Sequence, residues 1–488
     1  MKFDLNRSSL NNIKNTKYKF AIIGAGAAGV TIARKLSEKG HNVALMEGGD
    51  SEFTEDSQNL YKAEVVGDPY FELDHCRLRM FGGSTNCWGG MCREFENIDF
   101  QRGNYGPEFQ WPIVKSDLDK YINEACDIVD IDLIKGDKTV ENGNLKEVFF
   151  GFSPPANFLD KYYEEIVSNK KINLFLNANL KDINVNQGKI NSAIFESYKG
   201  NKININAENF IFCMGGIENP RFLLHFQNKY GNEFFPDKLP VGKYWMEHPH
   251  GALGIFLMYG NLEQEFQRFF TLSDDMQKKL SVFGCGLRLK SRNIASSEVK
   301  EHIREILCLA PKLGKKLMSE FNRDLVCAGE LNVAWEQAPD IKNKIILSSE
   351  TDRFEIPKPI LQWKKLPRDT KTLKETVSEF NRWLLENDLG RIKLNEWVLD
   401  NYNYSYKDDP SRLVDGINGN DGHIGGPHHM GGTRMHKDPS YGVVDSDCKM
   451  FGTKNVYMAG SSVFTTGGHN NPTLPIIQFA LRLADHLG

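Results

Sequence analysis

Two apolar runs near the start of the chain predict parallel strands with a helix between them. Residues 21–23 are apolar and followed at once by a glycine, and residues 43–46 repeat this pattern before an acid. Short continuous runs of this kind are typical of strands buried on both faces of a sheet. Residues 27–39 predict a helix, and Gly40 is suited to end it. The pattern indicates a βαβ unit.

Three glycines in the first turn of this unit indicate a dinucleotide site. Gly24 permits the tight turn, Gly26 lets the backbone approach a pyrophosphate, and Gly29 lets the helix pack closely on the strand. The helix begins at Ala27 and Ala28, where free N–H groups and a partial positive charge are offered to the phosphates.

The acid after the second strand supports the same interpretation. Glu47 lies 23 residues after Gly24, close to the spacing of about 20 expected for the acid that binds a ribose hydroxyl. A glutamate at this position disfavours a 2′-phosphate, and hence NADP. The motif alone does not separate FAD from NAD.

Later parts of the chain show both strand-like and helical patterns. Residues 331–335 and 359–363 predict strands, and residues 373–387 predict an amphipathic helix. Residues 296–323 form a charged helical pattern broken by Pro311 and Gly314. We interpret this stretch as a solvated helical insertion; the alternative is a lid, or a basic edge for an anionic or lipid-linked substrate.

Composition narrows the class of protein. A chain of 488 residues can form two or three domains, and its net charge of −4 indicates no general attraction to nucleic acid. The nine cysteines do not cluster as a disulfide framework or a zinc site, so we expect no metal. The start of the chain has no signal-peptide apolar region, and no stretch is long enough to be transmembrane. These features predict a reduced, cytoplasmic protein.

Five ordered segments carry a resemblance to a known family. They read FAIIGAGAAG at 20–29, FGGSTNCWGGM at 81–91, NFIFCMGGIENPR at 209–221, VGKYWMEHPH at 241–250 and HHMGGTRM at 428–435. Together they resemble the glucose–methanol–choline (GMC) family of FAD oxidoreductases, and among these the pyranose-oxidase-like and other bacterial sugar or polyol enzymes. The resemblance continues almost to the end of the chain.

The resemblance implies an α/β fold with two domains. A discontinuous Rossmann-type FAD-binding domain would comprise residues 17–100, 170–250 and 425–488. An α+β substrate domain with a mainly antiparallel sheet would comprise residues 101–169 and 251–424. Residues 1–16 are polar, and we expect them to form a loose N-terminal arm.

The resemblance also implies which residues contact FAD. They are Gly24, Gly26, Ala27, Ala28, Gly29, Glu47, Gly82, Gly83, Ser84, Asn86, Cys87, Trp88, Gly215, Gly460, Ser461, Asn471, Pro472 and Thr473. A helix predicted over 473–487 would point its N-terminus at the pyrimidine edge of the flavin, where it would stabilise negative charge. A proline suits the first turn of such a helix.

Alcohol oxidation by a flavin needs a group that accepts the hydroxyl proton and a second group that orients the C–H bond. The family pattern H-x-x-G-T assigns the first role to His429, and the second falls on Asn471, 42 residues later. The competitor is His428, which we expect to pack or to bind backbone instead. Asn470 is disfavoured because it does not directly precede Pro-Thr. His469 is either a further polar wall group or a loop residue that binds solvent.

Cys87 occupies the position where some relatives carry a histidine covalently bonded to the flavin. A histidyl linkage is therefore excluded here. We expect noncovalent FAD with Cys87 as a small packing residue, although a cysteinyl linkage is chemically allowed.

The resemblance implies an FAD-dependent alcohol oxidase or dehydrogenase. Its substrate would be a CH–OH group of a small molecule, a sugar or a polyol, with His-assisted proton removal and hydride transfer to flavin N5. The alternatives are a sterol or hydrophobic-alcohol oxidase, a non-redox flavoprotein lyase on the same fold, and an NAD-dependent dehydrogenase, which the second glycine segment disfavours. No sequence motif indicates whether the electron acceptor is oxygen, a quinone or a protein.

Overall fold

The computed structural model describes residues 1–7, 16–68, 70–140, 143–236, 238–258, 267–291, 303, 306–307, 311–320, 327–399 and 427–488. These residues form a mixed α/β structure. The strands are β1 (Lys2–Asp4), β2 (Tyr18–Ile23), β3 (Val43–Met46), β4 (Glu64–Gly67), β5 (Met91–Cys92), β6 (Lys138–Thr139), β7 (Leu145–Val148), β8 (Gly151–Phe152), β9 (Ile172–Leu176), β10 (Asn179–Asn186), β11 (Lys189–Glu196), β12 (Lys202–Phe212), β13 (His250–Met258), β14 (Gln267–Leu272), β15 (Cys285–Ser291), β16 (Cys327–Trp335), β17 (Lys344–Thr351), β18 (Pro357–Trp363), β19 (Gly390–Leu394) and β20 (Val456–Met458).

Helices connect and cover these strands. They are α1 (Ala27–Glu38), α2 (Glu55–Gln58), α3 (Asn97–Phe100), α4 (Ser116–Asp119), α5 (Ile122–Ile128), α6 (Phe158–Ser168), α7 (Gly215–Tyr230), α8 (Asp274–Leu280), α9 (Pro311–Glu320), α10 (Pro367–Glu386), α11 (Glu396–Leu399) and α12 (Thr473–Leu487). Among the described helices, none has the length and apolar character needed to cross a bilayer.

The first sheet has a parallel centre with the order β1-β9-β3-β2-β12, and β20 also pairs with β12. Ile22 lies between Leu45 and Ile211 in the sheet register. These central strands are apolar because both faces are covered. Since parallel strands end at one edge, the segments that follow β2, β12 and β20 meet there.

The N-terminal residues differ from the expected loose arm. Lys2–Asp4 form β1, which pairs in parallel with β9, and the following Leu5 is fully buried. The polar composition of this segment suits an edge strand, which has a single neighbour and one face near solvent. Of the expected arm, residues 8–15 lie outside the described residues.

The second sheet is antiparallel and has the order β19-β13-β16-β15-β14-β7-β6. Helix α10 packs against it through apolar side chains spaced three or four residues apart: Leu373, Val377, Phe380 and Leu384. The helix predicted over 373–387 thus matches the later part of Pro367–Glu386 and ends one residue beyond it, and the two predicted strands lie within β16 and β18.

A third, small sheet joins segments that are distant in sequence. Strand β4 pairs in parallel with β18, which pairs with β17. Behind it lies a compact apolar cluster that includes Trp245, Trp363 and Leu73. This cluster supports one side of the candidate site described below.

The charged insertion is described only in part. Pro311 begins α9, and this helix runs through Gly314, so the expected break at Gly314 is wrong. A proline is tolerated in the first turn, and an isolated glycine costs only about 1 kcal/mol inside a helix. Most other positions of 296–323 lie outside the described residues.

Candidate active site

The turn between β2 and α1 is packed as its glycines predict. Gly24 has φ +106°, and a Cβ there would lie 2.6 Å from the carbonyl oxygen of Cys213. A Cβ on Gly29 would lie 1.9 Å from the carbonyl oxygen of Gly24. Around Gly26, by contrast, a Cβ would meet no atom within 4 Å. The first and third glycines are therefore needed for packing, and the second leaves open space.

The second glycine segment lies directly against this turn. Gly82 donates its N–H to the carbonyl of Ala25 at 2.8 Å, and a Cβ on Gly83 would lie 3.3 Å from the Cα of Gly26. Ser84 and Cys87 are exposed next to it. The two predicted glycine segments thus border one space, although they are separate in sequence.

Asn86 and Trp88 hold the second segment in place from behind. Asn86 accepts the N–H of Leu159 at 3.2 Å, and its amide donates to the carbonyl of Phe81 at 2.7 Å. The indole N–H of Trp88 donates to the carbonyl of Ala156 at 3.3 Å. These bonds give both side chains a structural role in addition to the predicted contact with the cofactor.

Glu47 lies at the end of β3, where the sequence predicts it. Its Oε2 accepts the N–H of Ala25 at 3.0 Å and its Oε1 accepts the N–H of Gly49 at 2.8 Å. The carboxylate therefore sits beside the glycine turn, and its bond to a ribose hydroxyl stays a prediction. Arg79 lies close by, with a guanidinium nitrogen 2.3 Å from where a Cβ of Gly48 would be.

The sheet edge fits a bound dinucleotide. Gly26, Gly215 and Gly460 follow β2, β12 and β20, and a Cβ on any of them would meet no atom within 4 Å. Helix α1 has no side-chain cap and no acid in its first turn. The N-terminus of a helix without a cap offers free N–H groups, and the neighbouring glycines leave room for a ligand to reach them. A pyrophosphate needs such N–H donors.

The 428–431 segment is clamped between α7 and the end of β20. Ser461 donates its hydroxyl to the carbonyl of His429 at 2.6 Å, and Gly431 donates its N–H to the carbonyl of Ser461 at 3.0 Å. A Cβ on Gly216 would lie 2.4 Å from the same His429 oxygen. The predicted segments that contain Gly215, Gly460 and His429 therefore contact one another at the backbone of His429.

The side chain of His429 contacts two groups that the sequence did not indicate. Its Nε2 lies 3.1 Å from the hydroxyl of Tyr70 and 3.6 Å from the sulfur of Cys76. Its ring lies 5.6 Å from that of Trp245. Burial, with a smaller effect of Arg77, lowers the pKa of His429 to about 3. The imidazole is therefore neutral near pH 7.

Glu247 binds the backbone of two histidines, His248 and His428. Its Oε1 accepts the backbone N–H of His248 at 2.8 Å and that of His428 at 2.6 Å, and its Oε2 accepts the hydroxyl of Tyr70. Only 3% of Glu247 is exposed. Its place before His-Pro in the 241–250 segment could have suggested it, whereas Tyr70 belongs to no motif.

His428 faces a different group of side chains. Its Nδ1 lies 3.0 Å from Nδ1 of His248, and its ring lies 5.4 Å from that of His250. It therefore packs, as expected, but on histidines. Burial lowers the pKa of His428 well below its ordinary value, and that of His248 to about 4. Within the described residues, no His, Cys, Asp and Glu side chains are grouped to hold a metal ion.

The histidine cluster borders the loop that carries Asn471. A Cβ on Gly467 would lie 3.0 Å from Nε2 of His248. Asn471 is partly exposed, two residues before the first residue of α12. Among the described residues, no hydrogen bond joins Asn471 to His429. The structure thus places Asn471 four residues after a glycine that lies against His248.

The two residues before Asn471 are buried. Asn470 is buried and donates its amide to the carbonyl of Glu94 at 2.5 Å. His469 is only 4% exposed and packs against Gly284 and Gly286. The alternative of a solvent-bound loop histidine is therefore wrong. Burial lowers the pKa of His469 to about 3, although Glu96 opposes this shift.

Cys87 lies exposed in the second glycine segment. Its sulfur is 3.5 Å from the carbonyl oxygen of Ser84. Desolvation raises the pKa of its thiol, the direction that disfavours the thiolate needed for covalent attachment.

Comparison with known proteins shows similarity to the family that the sequence motifs resemble. Residues 339–480 match the family model of the GMC oxidoreductases. The chain is 22% identical to 2-methyl-1,2-propanediol dehydrogenase of Mycolicibacterium austroafricanum, over 96% of this chain and 94% of that protein.

Two solved structures share the fold. Pyridoxine 4-oxidase from Mesorbium loti matches with a TM-score of 0.57 and 13% identity, over 96% of this chain and 99% of that chain. A variant of Aspergillus oryzae RIB40 formate oxidase, studied for FAD modification, matches with a TM-score of 0.54 and 16% identity, over 97% and 98% of the two chains.

Proposed function

We propose that the chain is an FAD oxidoreductase of the GMC family, whose model matches residues 339–480, and that it oxidises a CH–OH group of a small polyol or sugar. One observation carries this proposal. His429, Tyr70, Glu247, His428 and His248 converge on one region, from segments far apart in sequence. Several convergent polar groups suit a substrate with more than one hydroxyl.

The same convergence disfavours the sterol alternative. A sterol oxidase needs a largely apolar cavity, whereas five polar side chains meet in this region. The named relatives point the same way, since one is a diol dehydrogenase and another oxidises pyridoxine. Both names describe small polar alcohols as substrates of those proteins.

We assign the two large sheets to the two expected domains. The parallel sheet with α1, α7 and α12 would bind FAD, and the antiparallel sheet with α10 would form the substrate domain. Helices α5 and α6 lie within 101–169 but pack in the core of the first sheet, so we place them in the FAD-binding domain. Strand β4 would link the domains through β18.

The FAD-binding residues would act through backbone. The open glycine positions at Gly26, Gly215 and Gly460 and the N-terminus of α1 would hold the dinucleotide, with Glu47 at the ribose. When bound, FAD supplies the hydride acceptor of alcohol oxidation. The N-terminus of α12, which has no side-chain cap, would contribute a positive potential nearby.

His429 would accept the proton of the substrate hydroxyl, and Asn471 would orient the alcohol. The neutral imidazole has a lone pair available for this proton. Its lowered pKa keeps the imidazole neutral, and hydride transfer also requires the substrate C–H bond to face the flavin. Correct orientation of that bond is then essential, and this is the role we give to Asn471.

Anaerobic bleaching tests the proposal. The purified yellow protein is mixed without oxygen with 1,2-diols, sugars, pyridoxine, formate or a sterol, and the flavin absorbance is followed. We expect bleaching by diols or sugars. Bleaching only by the sterol would support the hydrophobic-alcohol alternative, and a yellow protein that no alcohol bleaches would support the lyase. Reoxidation by oxygen, a quinone or a redox protein then identifies the electron acceptor.

A further inference from the structure

We propose that Tyr70 and Glu247 position His429 for catalysis by fixing its tautomer, with the proton on Nε2 and the acceptor lone pair on Nδ1. This inference rests on the proposed role of His429 as the proton acceptor. It assigns a function to two residues outside the predicted catalytic pair.

Glu247 can act only as an acceptor in this arrangement. Its Oε1 receives two backbone N–H groups, from His248 at 2.8 Å and from His428 at 2.6 Å. Backbone donors held by the fold favour the ionised carboxylate, which has no proton to give. The hydroxyl of Tyr70, next to Oε2, must therefore donate to Glu247.

The direction of that bond determines the state of His429. A tyrosine hydroxyl has one proton, and Tyr70 directs it at Glu247, so its oxygen can only accept on the other side. Nε2 of His429 lies 3.1 Å from this oxygen and must donate to it. Because His429 is neutral, a proton on Nε2 leaves Nδ1 as the acceptor.

Cys76 is consistent with this assignment. Its sulfur lies 3.6 Å from the carbonyl oxygen of Leu73, to which the thiol donates, and also 3.6 Å from Nε2 of His429. Burial raises the pKa of Cys76 to about 12, so the thiol keeps its proton. With that proton on Leu73, the sulfur faces Nε2 as a weak acceptor, which again suits a protonated Nε2.

Aromatic packing holds the side chains of His429 and Tyr70 in place. Trp245 is fully buried, and its ring lies 5.6 Å from that of His429 and 6.0 Å from that of Tyr70. Trp363 lies 5.1 Å from Tyr70 on another side. The hydroxyl of Tyr70 can thus be removed without loss of the ring that packs here.

Two substitutions give different outcomes. Tyr70→Phe removes the acceptor for Nε2–H, so the two neutral tautomers of His429 should mix. Glu247→Gln can keep an amide oxygen for the two backbone N–H groups and place its NH₂ against Tyr70. The hydroxyl of Tyr70 would then turn and donate to Nε2, which should invert the tautomer to Nδ1–H.

The experiment is NMR of the FAD-loaded protein labelled with ¹⁵N-histidine, together with anaerobic stopped-flow reduction. The His429 signals are identified by their loss in His429→Gln. We expect Nε2–H in the parent, mixed tautomers in Tyr70→Phe and Nδ1–H in Glu247→Gln, with flavin reduction slowed at least about tenfold at saturating substrate. Tyr230→Phe is the matched control, because Tyr230 also donates to a carboxylate, that of Asp182, and lies elsewhere.

Two results would overturn the inference. One is an Nδ1–H tautomer of His429 in the parent protein. The other is a Tyr70→Phe protein with the parent tautomer and the parent reduction rate. If Tyr70→Phe does not fold, the tautomer of His429 in Glu247→Gln provides the test. The proposed function has a separate test, because the NMR measurement of the tautomer does not depend on turnover. If the flavin of His429→Ala is reduced at the parent rate, the proposed function is wrong.

Discussion

Gly82 donates its backbone N–H to the carbonyl of Ala25 at 2.8 Å, and this bond joins the two glycine segments at the end of the parallel sheet. It places Gly83 next to Gly26, with only 3.3 Å between the position of a Cβ and the Cα of Gly26. The two segments can therefore border a single dinucleotide, which explains why both motifs are needed in one chain.

Filling the space over Gly26 should abolish FAD binding without unfolding the protein. Gly26 has φ −83° and open space around a Cβ, so Gly26→Val fits the backbone but occupies the approach of the pyrophosphate. We expect a folded, colourless protein, measured by circular dichroism and the ratio of absorbance at 450 and 280 nm. Gly136→Val is the control, because Gly136 is also open but lies in an exposed loop. A yellow Gly26→Val protein would contradict the assignment.

Much of the fold could be predicted because its determinants are local. The apolar runs at β2 and β3, the glycines around α1 and the apolar spacing of α10 all act within a few residues. The resemblance that rests on these and the later motifs is supported by the GMC family model, which matches residues 339–480, and by solved structures that share the fold. The roles of the individual site residues stay predictions.

The features that could not be predicted depend on distant partners. Lys2–Asp4 become a strand only because β9 offers a free edge, and β4 pairs with β18 almost three hundred positions later. The contact between Tyr70 and His429 is of the same kind: neither residue carries a local pattern that indicates the other. Such pairings follow from packing of the whole chain rather than from periodicity.

His429→Ala should keep FAD but slow anaerobic flavin reduction by about 10²-fold or more, the usual loss for a general base. His428→Ala should have a much smaller effect, because its side chain contacts His248 and His250 rather than Tyr70. The measurement is stopped-flow reduction with a substrate identified by bleaching. A larger loss in His428→Ala than in His429→Ala would transfer the role to His428.

Asn471→Ala should slow reduction while FAD content and stability are kept. Asn471 is partly exposed and lies outside α12, so its loss removes an orienting group worth about 2–4 kcal/mol in the reaction but leaves the helix intact. Asn470→Ala is the contrast, because Asn470 is buried and bonded to Glu94. It should lower the free energy of unfolding by about 1–3 kcal/mol. Loss of FAD in Asn471→Ala would instead indicate a structural residue.

The flavin should be released by acid precipitation. Cys87 is exposed, but desolvation raises the pKa of its thiol, the direction that disfavours the thiolate needed for attachment. We expect the yellow colour in the supernatant, and an unchanged spectrum in Cys87→Ser. Colour that stays in the pellet of the parent protein and moves to the supernatant in Cys87→Ser would establish a cysteinyl linkage instead.

Acid should destabilise the protein through its buried histidines. Burial lowers the pKa of His429 and His469 to about 3 and that of His248 to about 4, whereas an unfolded histidine has a pKa near about 6.5. At these histidines the unfolded chain therefore binds more protons between these values, whereas burial raises the pKa of Asp99 to about 8 and that of Asp369 to about 7, which acts in the opposite direction. The stabilisation is fully present above about pH 6.5 and is lost as the pH falls, by up to about 1.4 kcal/mol per pH unit for each histidine.

Urea unfolding between about pH 7 and 5 measures this slope. His469→Gln should flatten it, because it removes one group that must be protonated on unfolding and lies away from Tyr70 and His429. His486→Gln is the matched control, because 43% of the His486 side chain is exposed. A slope that His469→Gln leaves unchanged would contradict the lowered pKa of His469 in the folded protein.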